Sequence, residues 1–160
     1  KYLNAARQVY NSFCRYEAEG VYPWYSTVDP KGNLWLEEYP MSPNCYTLNG
    51  MIFTIYGLYD YYLVTKNPTC KLLLQATIST IHNRIDEFRN KGDLSYYCLK
   101  HKVKDLKYHH IHARQLEVLY QITGDRKFKE VSNLLNEDGQ NYIDQNMQES
   151  DKRKYDSFGH

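Results

Sequence analysis

The sequence predicts a mainly α-helical fold: an open, incomplete (α/α) toroid of antiparallel helix pairs with one short β-hairpin excursion. Three observations carry that prediction. Five stretches set apolar residues at helical spacing between capping signals. The corner Leu58-Tyr59 to Thr65-Lys66-Asn67 recurs as Leu119-Tyr120 to Thr123-Gly124-Asp125, so a helix, a tight capped turn and a returning helix are used twice. Residues 21 to 44 break the helical period with aromatic and β-branched runs. A closed ring of such pairs takes about twelve helices, so five leave it open.

The first helix is expected from Tyr2 to about Glu19, with Leu3, Ala6, Val9, Tyr10, Phe13 and Tyr16 or Glu17 on one face and Gly20 capping its end. Val21 to Val28 and Asn33 to Glu37 then read as a hairpin around Asp29-Pro30-Lys31-Gly32-Asn33, whose proline and glycine supply turn geometry. Pro40 and Pro43 hold the following segment, Glu37 to Pro43, extended. Asn44 is placed to cap a second helix that runs to about Thr65 and is apolar on nearly every side, the mark of a central helix. Asn49, Thr54 and Asp60 interrupt it and argue against a membrane span. Gly50 and Gly57, seven apart on one stripe, are expected to let a neighbouring helix come close. Asn67-Pro68 opens a third helix in the preferred cap-then-proline order, with Leu74, Ile78, Ile81, Ile85 and Phe88 inside and Gly92 after it. A fourth carries Leu116, Leu119 and Ile122 up to Gly124, and Asp125 caps a fifth around Phe128, Val131 and Leu135. The expectation is one helical domain over residues 1–147 and a polar, aperiodic, disordered tail over 148–160.

A chain of 160 residues can bury a core without metal or disulfide. With 20 basic and 19 acidic residues it has no basic stripe for nucleic acid and no acidic tail. Cys14, Cys45, Cys70 and Cys98 lack paired zinc or redox spacing and read as small buried hydrophobes. No segment has the length and apolarity to contact a membrane. The chain starts at Lys1 already in a helical pattern, so a fragment or a processed product is expected, with any targeting segment outside it.

Chemistry concentrates between Tyr96 and His112. Four of the six histidines lie there (His101, His109, His110 and His112), with three tyrosines and Lys100. A strand followed by the opening turn of a helix would bring these groups to one wall, although an exposed histidine-rich loop has the same spacing. A second candidate is the carboxylate pair Glu37-Glu38 beside Tyr39. The 17 tyrosines suit stacking on sugars and hydrogen bonding to hydroxyls, besides ordinary packing. His101, His109 and His112 also offer nitrogen donors of the kind zinc takes, but no cysteine or glutamate completes that set by spacing, and no metal or cofactor is expected.

The ordered motifs Glu38-Tyr39-Pro40 with Ser42-Pro43, Leu48-Asn49-Gly50, Gly57-Leu58-Tyr59-Asp60, Tyr97-x-Leu99-Lys100-His101 and Tyr108-His109-x-x-His112 with Gln115-Leu116 resemble the C-terminal domain of D-glucuronyl C5-epimerases over roughly residues 35 to 140. The resemblance implies an incomplete (α/α) barrel and inversion at C-5 of D-glucuronate in a heparan-type polysaccharide, giving L-iduronate. It places the active-site glutamate and tyrosines on Glu38, Tyr39, Tyr97 and Tyr108. The family's arginine in the tyrosine-x-leucine-arginine-histidine motif is Lys100 here, which lacks the two-pronged grip of a guanidinium. It also implies an upstream β-rich domain, or a homo-oligomer, as partner, and a secretory or extracytoplasmic location.

Epimerisation beside a carboxylate needs a base, an acid on the opposite face and positive or donor groups at the carboxylate, because the intermediate is an enediolate. Glu38 and Tyr108 are the expected proton-handling groups, with Tyr97 in hydrogen bonding or secondary proton transfer. Tyr39, Lys100, His101, His109 and His112 are expected at the substrate, and positive charge from His109, His112 or Lys100 would make Tyr108 a better base. Two alternatives stay open: a polysaccharide lyase, in which the same enediolate eliminates, and a non-catalytic glycan-binding helical domain.

Overall fold

The structure is a computed structural model and describes residues 1–15 and 24–146. The first helix, expected to run to about Glu19, ends at Phe13, where Arg15 N–H bonds back to Ser12 O; Gly20, the start of the first strand at Val21 and the tail over 148–160 lie outside the described residues. The chain forms two compact units, Lys1–Phe88 with Tyr97–Val103, and Arg89–Tyr96 with Lys104–His160.

The first unit is built on three helices and a hairpin. Helix α1, Tyr2–Phe13, is mostly exposed; Tyr10 is its buried residue and stacks on Tyr61 at 4.9 Å. Strands β1, Ser26–Val28, and β2, Leu34–Leu36, pair antiparallel with Thr27 opposite Trp35. Their turn is organised by buried Asp29, whose Oδ1 accepts from the Lys31 and Asn33 amides and whose Oδ2 accepts from Trp35 Nε1. The same carboxylate pairs with Arg84. Gly32, at φ 81°, supplies the left-handed residue that the turn needs. The hairpin is pinned by Thr80 Oγ1, which donates to Leu34 O at 2.7 Å, and by Asn83 Nδ2, which donates to Asn33 Oδ1.

Helix α2, Leu48–Thr65, and helix α3, Pro68–Arg84, pack on each other and on β2. Asn67 caps α3 as expected, its Oδ1 accepting from Thr69 and Cys70 N–H. The cap position of α2 is Thr47, whereas Asn44 turns away and donates to Thr27 Oγ1. Only part of α2 is central. Leu48, Met51, Ile52, Ile55 and Leu58 are buried, but Phe53, Leu63 and Val64 are 55%, 44% and 70% exposed. Nor does a helix close on Gly57, where an added Cβ would meet nothing within 4 Å; the space beside it opens on Val9, Tyr10 and Phe13 of α1. A 3-10 turn, Ile85–Glu87, ends α3 early and carries Phe88 into the core.

The second unit is a helical hairpin. Helix α4, Leu106–Thr123, packs on helix α5, Arg126–Asn146, through Leu116, Leu119, Phe128, Val131 and Leu135. Arg89 forks onto buried Asp138 at 2.7 and 3.2 Å, and Gly92 N–H donates to the same carboxylate, so the segment before α4 is anchored on α5. Each hairpin corner repeats the other bond for bond. Thr65 and Thr123 donate back to Tyr61 O and Leu119 O, and accept from the Asn67 and Asp125 amides. Between them sit Lys66 and Gly124, both left-handed at φ 52° and 72°. The fold is thus mainly helical with one short antiparallel sheet, as the sequence predicts.

Candidate active site

The first unit brings Glu38, Tyr39 and Tyr97 together. The chain leaves β2 at Leu36 and bends at Glu38 and Tyr39 instead of staying extended to Pro43 as expected, and Glu37 and Glu38 part into different surroundings. Glu37 goes inward and both its oxygens accept from Tyr46 N–H, at 3.1 and 3.2 Å. Burial outweighs those bonds and raises its carboxyl to about 7. Glu38 goes outward against α2, where Gly50 makes room for it: a Cβ on Gly50 would lie 2.8 Å from Glu38 Cβ and 2.9 Å from Cδ.

Tyr97 Oη donates to Glu38 Oε2 at 3.2 Å and lies 3.5 Å from Tyr39 Oη. Burial, the hydrogen bond with Tyr39 and the Glu38 charge all raise the Tyr97 phenol well above its ordinary range. It therefore stands beside the carboxylate as a protonated donor. Tyr97 is held by backbone bonds on both sides, its N–H to Val103 O and its carbonyl to Leu48 N–H. Leu99 N–H and Lys100 N–H reach Tyr46 O and Cys45 O, which tie the 97–103 loop to the segment before α2. Lys100 Nζ donates to Pro43 O at 3.0 Å. His101 is exposed, with Nδ1 3.4 Å from Cys98 Sγ and 3.7 Å from Cys45 Sγ.

The second unit holds Tyr108, His109 and His112. Asp105 caps α4 by accepting from Tyr108 N–H at 3.1 Å, which puts Tyr108 in the first turn, as the sequence predicts for the latter half of the histidine-rich stretch. His109 and His112 are wholly buried. Ser95 N–H donates to His109 Nδ1 at 2.8 Å, so the His109 proton is assigned to Nε2, which donates to Leu135 O at 2.6 Å. Ser95 Oγ also lies 3.0 Å from that Nδ1 and 2.9 Å from His112 Nδ1. A proton on His112 Nδ1 then gives one directional chain, His112 to Ser95 to His109 to Leu135 O. His112 Nε2 is buried with no partner among the described residues.

Burial lowers both imidazoles, His112 to about 3. They are neutral and inward-facing, so they bring no positive charge to Tyr108; the cation on that ring is Lys107, 5.9 Å from its centroid. Their geometry is that of groups that hold α4 against α5 and the 95 region. Gly139 on α5 leaves room for His109, since a Cβ there would meet its Nε2 at 2.7 Å.

Sequence reasoning missed Ser95, which no pattern marks, and did not separate Glu37 from Glu38. Cys45 and Cys98 are buried, as the sequence predicts, and the fold also brings both sulfurs to His101.

Residues 1–137 match the family described as D-glucuronyl C5-epimerase C-terminus. The chain belongs to that family. A D-glucuronyl C5-epimerase of Caenorhabditis elegans is 52% identical over 56 residues, which cover 35% of this chain and 8% of the nematode protein. An uncharacterized protein of Methanocaldococcus jannaschii is 29% identical over 131 residues, 78% of this chain and 40% of that protein. The chain thus spans less than half the length of either relative. Membership of this C5-epimerase family agrees with the motifs on which Glu38, Tyr97 and Tyr108 stand.

Proposed function

We propose that this chain supplies acid–base residues for epimerisation at C-5 of D-glucuronate units in a heparan-type polysaccharide, as part of a longer enzyme. The single observation that carries this reading is the hydrogen-bonded group of Glu38, Tyr97 and Tyr39 on the Gly50 notch. Glu38 takes the C-5 proton as a carboxylate base, and electrons move onto the substrate carboxylate to form the enediolate. A neutral phenol beside that base stabilises the enediolate by hydrogen bonding, while the proton that inverts C-5 is returned by a second group on the opposite face. Tyr97 has that state beside Glu38, and Tyr108 takes the second proton-handling role by its place in the family motif. Lys100 presents a point charge to the substrate carboxylate in place of the family's arginine, while Tyr39 offers a ring edge and hydroxyl to the sugar. His109 and His112 serve by fixing the α4 turn that carries Tyr108.

The test is incubation of the full-length protein with a glucuronate polymer in D2O. Deuterium at C-5 together with iduronate in intact polymer is the expected result, reduced at least about 100-fold in Glu38→Gln. Unsaturated uronate would replace the epimerase reading with a lyase; binding without either product would leave a glycan-binding domain.

A further inference from the structure

Cys45, Cys98 and His101 each present one donor atom, and the three atoms lie within 4.8 Å of one another. We propose that they form a binding site for a soft d10 cation, Zn2+ or Cu+, which locks the 98–101 loop to the segment before α2. The distances fit the role. Around a tetrahedral ion with metal–sulfur bonds of about 2.3 Å and metal–nitrogen bonds of about 2.0 Å, sulfur and nitrogen donors stand about 3.5 Å apart and two sulfurs about 3.8 Å apart. Nδ1 of His101 is 3.4 Å from Cys98 Sγ and 3.7 Å from Cys45 Sγ.

The frame is set by backbone rather than by the donors themselves. Thr47 and Cys98 form a single antiparallel pairing, Lys100 N–H bonds to Cys45 O, and Lys102 N–H returns to Cys98 O with Lys102 left-handed at φ 51°. His101 N–H points at Cys98 Sγ from 3.4 Å, which holds that sulfur on the side of the loop where the His101 ring lies. Both cysteines are buried while His101 is exposed, so an ion has soft anionic ligands inside and a path in from solvent. Met41 completes the surroundings, its Sδ 3.4 Å from Cys45 Sγ.

Two thiols and an imidazole are weak partners for one another as hydrogen-bonding groups, but as ligands they match both Zn2+ and Cu+. The thioether separates the two. Zn2+ takes the two thiolates, His101 and a water, whereas Cu+ favours Met41 as well. The ion would act as a clasp, because the loop it fixes begins one residue after Tyr97, the donor to Glu38.

The experiment uses protein purified under reducing conditions, stripped with a chelator and titrated with Zn2+, Co2+ and Cu+ against chromophoric competitors. Expected are one Zn2+ per chain, a near-ultraviolet thiolate-to-Co2+ absorption, and affinity reduced about 100-fold or more in both Cys98→Ser and His101→Ala. His101 is exposed, so the second variant separates ligand loss from misfolding. Met41→Leu that weakens Cu+ but not Zn2+, with Cu+ the tighter ion, supports the site and identifies its ion as Cu+. A Co2+ spectrum without thiolate absorption, unchanged Zn2+ affinity in His101→Ala, or a Cys45–Cys98 disulfide that forms in place of metal binding would each overturn the proposal.

Discussion

Glycine in a helix interior costs about 1 kcal/mol relative to alanine, so three helical glycines are expected only where a side chain would do harm. Gly50 gives way to Glu38 and Gly139 to His109, but Gly57 faces open space. Alanine at the three positions should therefore act in different directions. Gly57→Ala raises stability by about 0.5–1 kcal/mol. Gly139→Ala breaks the His109 bond to Leu135 O and lowers stability by a net of about 1–2 kcal/mol, since an unsatisfied buried donor outweighs the helix gain. Gly50→Ala sets a Cβ 2.8 Å from Glu38 Cβ, which only a backbone shift at Glu38 relieves, so it moves Glu38 off Tyr97 and lowers both turnover and the urea midpoint. Urea denaturation of the three variants decides it; a destabilised Gly57→Ala would show that its face is covered.

At the scale of elements, the two hairpin corners explain what could be read in advance. Asn67 and Asp125 accept from amides within three residues of themselves and Gly124 returns its own N–H to Tyr120 O, and signals of that range are written in the local sequence. The α3 face and the Asp29 turn were legible for the same reason. Ser95, by contrast, meets His109 and His112 only because α4 folds back beside it, and the sorting of Glu37 inward from Glu38 outward follows from where α2 lies. Asn44 looked like a cap, yet Thr27 of the hairpin claims it. The corners also differ in one instructive respect, since Lys66 adopts the left-handed backbone that Gly124 adopts freely. Lys66→Gly should raise the thermal midpoint through a gain of about 0.5–1 kcal/mol, and Asn67→Ala should cost about 1 kcal/mol. A Lys66→Gly protein that melts lower than the parent would contradict this account of the turn.

Over the whole molecule, the two units answer acid in opposite ways. In the second unit His109 and His112 titrate below their ordinary 6.5. The stability they contribute is present above pH 6.5 and drains away as pH falls below it, on the order of a few kcal/mol for His112. In the first unit Glu37 is raised from 4.5 to about 7, so its contribution is full below pH 4.5 and lost as pH rises through 7. Asp29 is opposed by burial but held low by bonds from Trp35, Asn33 and Lys31, and its contribution fails only below its ordinary 3.8. Between pH 6.5 and 4.5 the second unit weakens as the first gains. Both tryptophans, Trp24 and Trp35, belong to the first unit, which makes the contrast measurable. On acidification, helical circular dichroism should begin to fall at higher pH than tryptophan emission shifts; superimposed transitions would refute the assignment.

The repeated threonine corner has a consequence for how such a chain can be lengthened. Because each bend is closed by its own hydroxyl and its own cap, it behaves as a portable joint. A further helix pair spliced in through a Thr-Gly-Asp joint would inherit a sharp reversal ready-made, and only the sides of the added helices would need tailoring to their new neighbours.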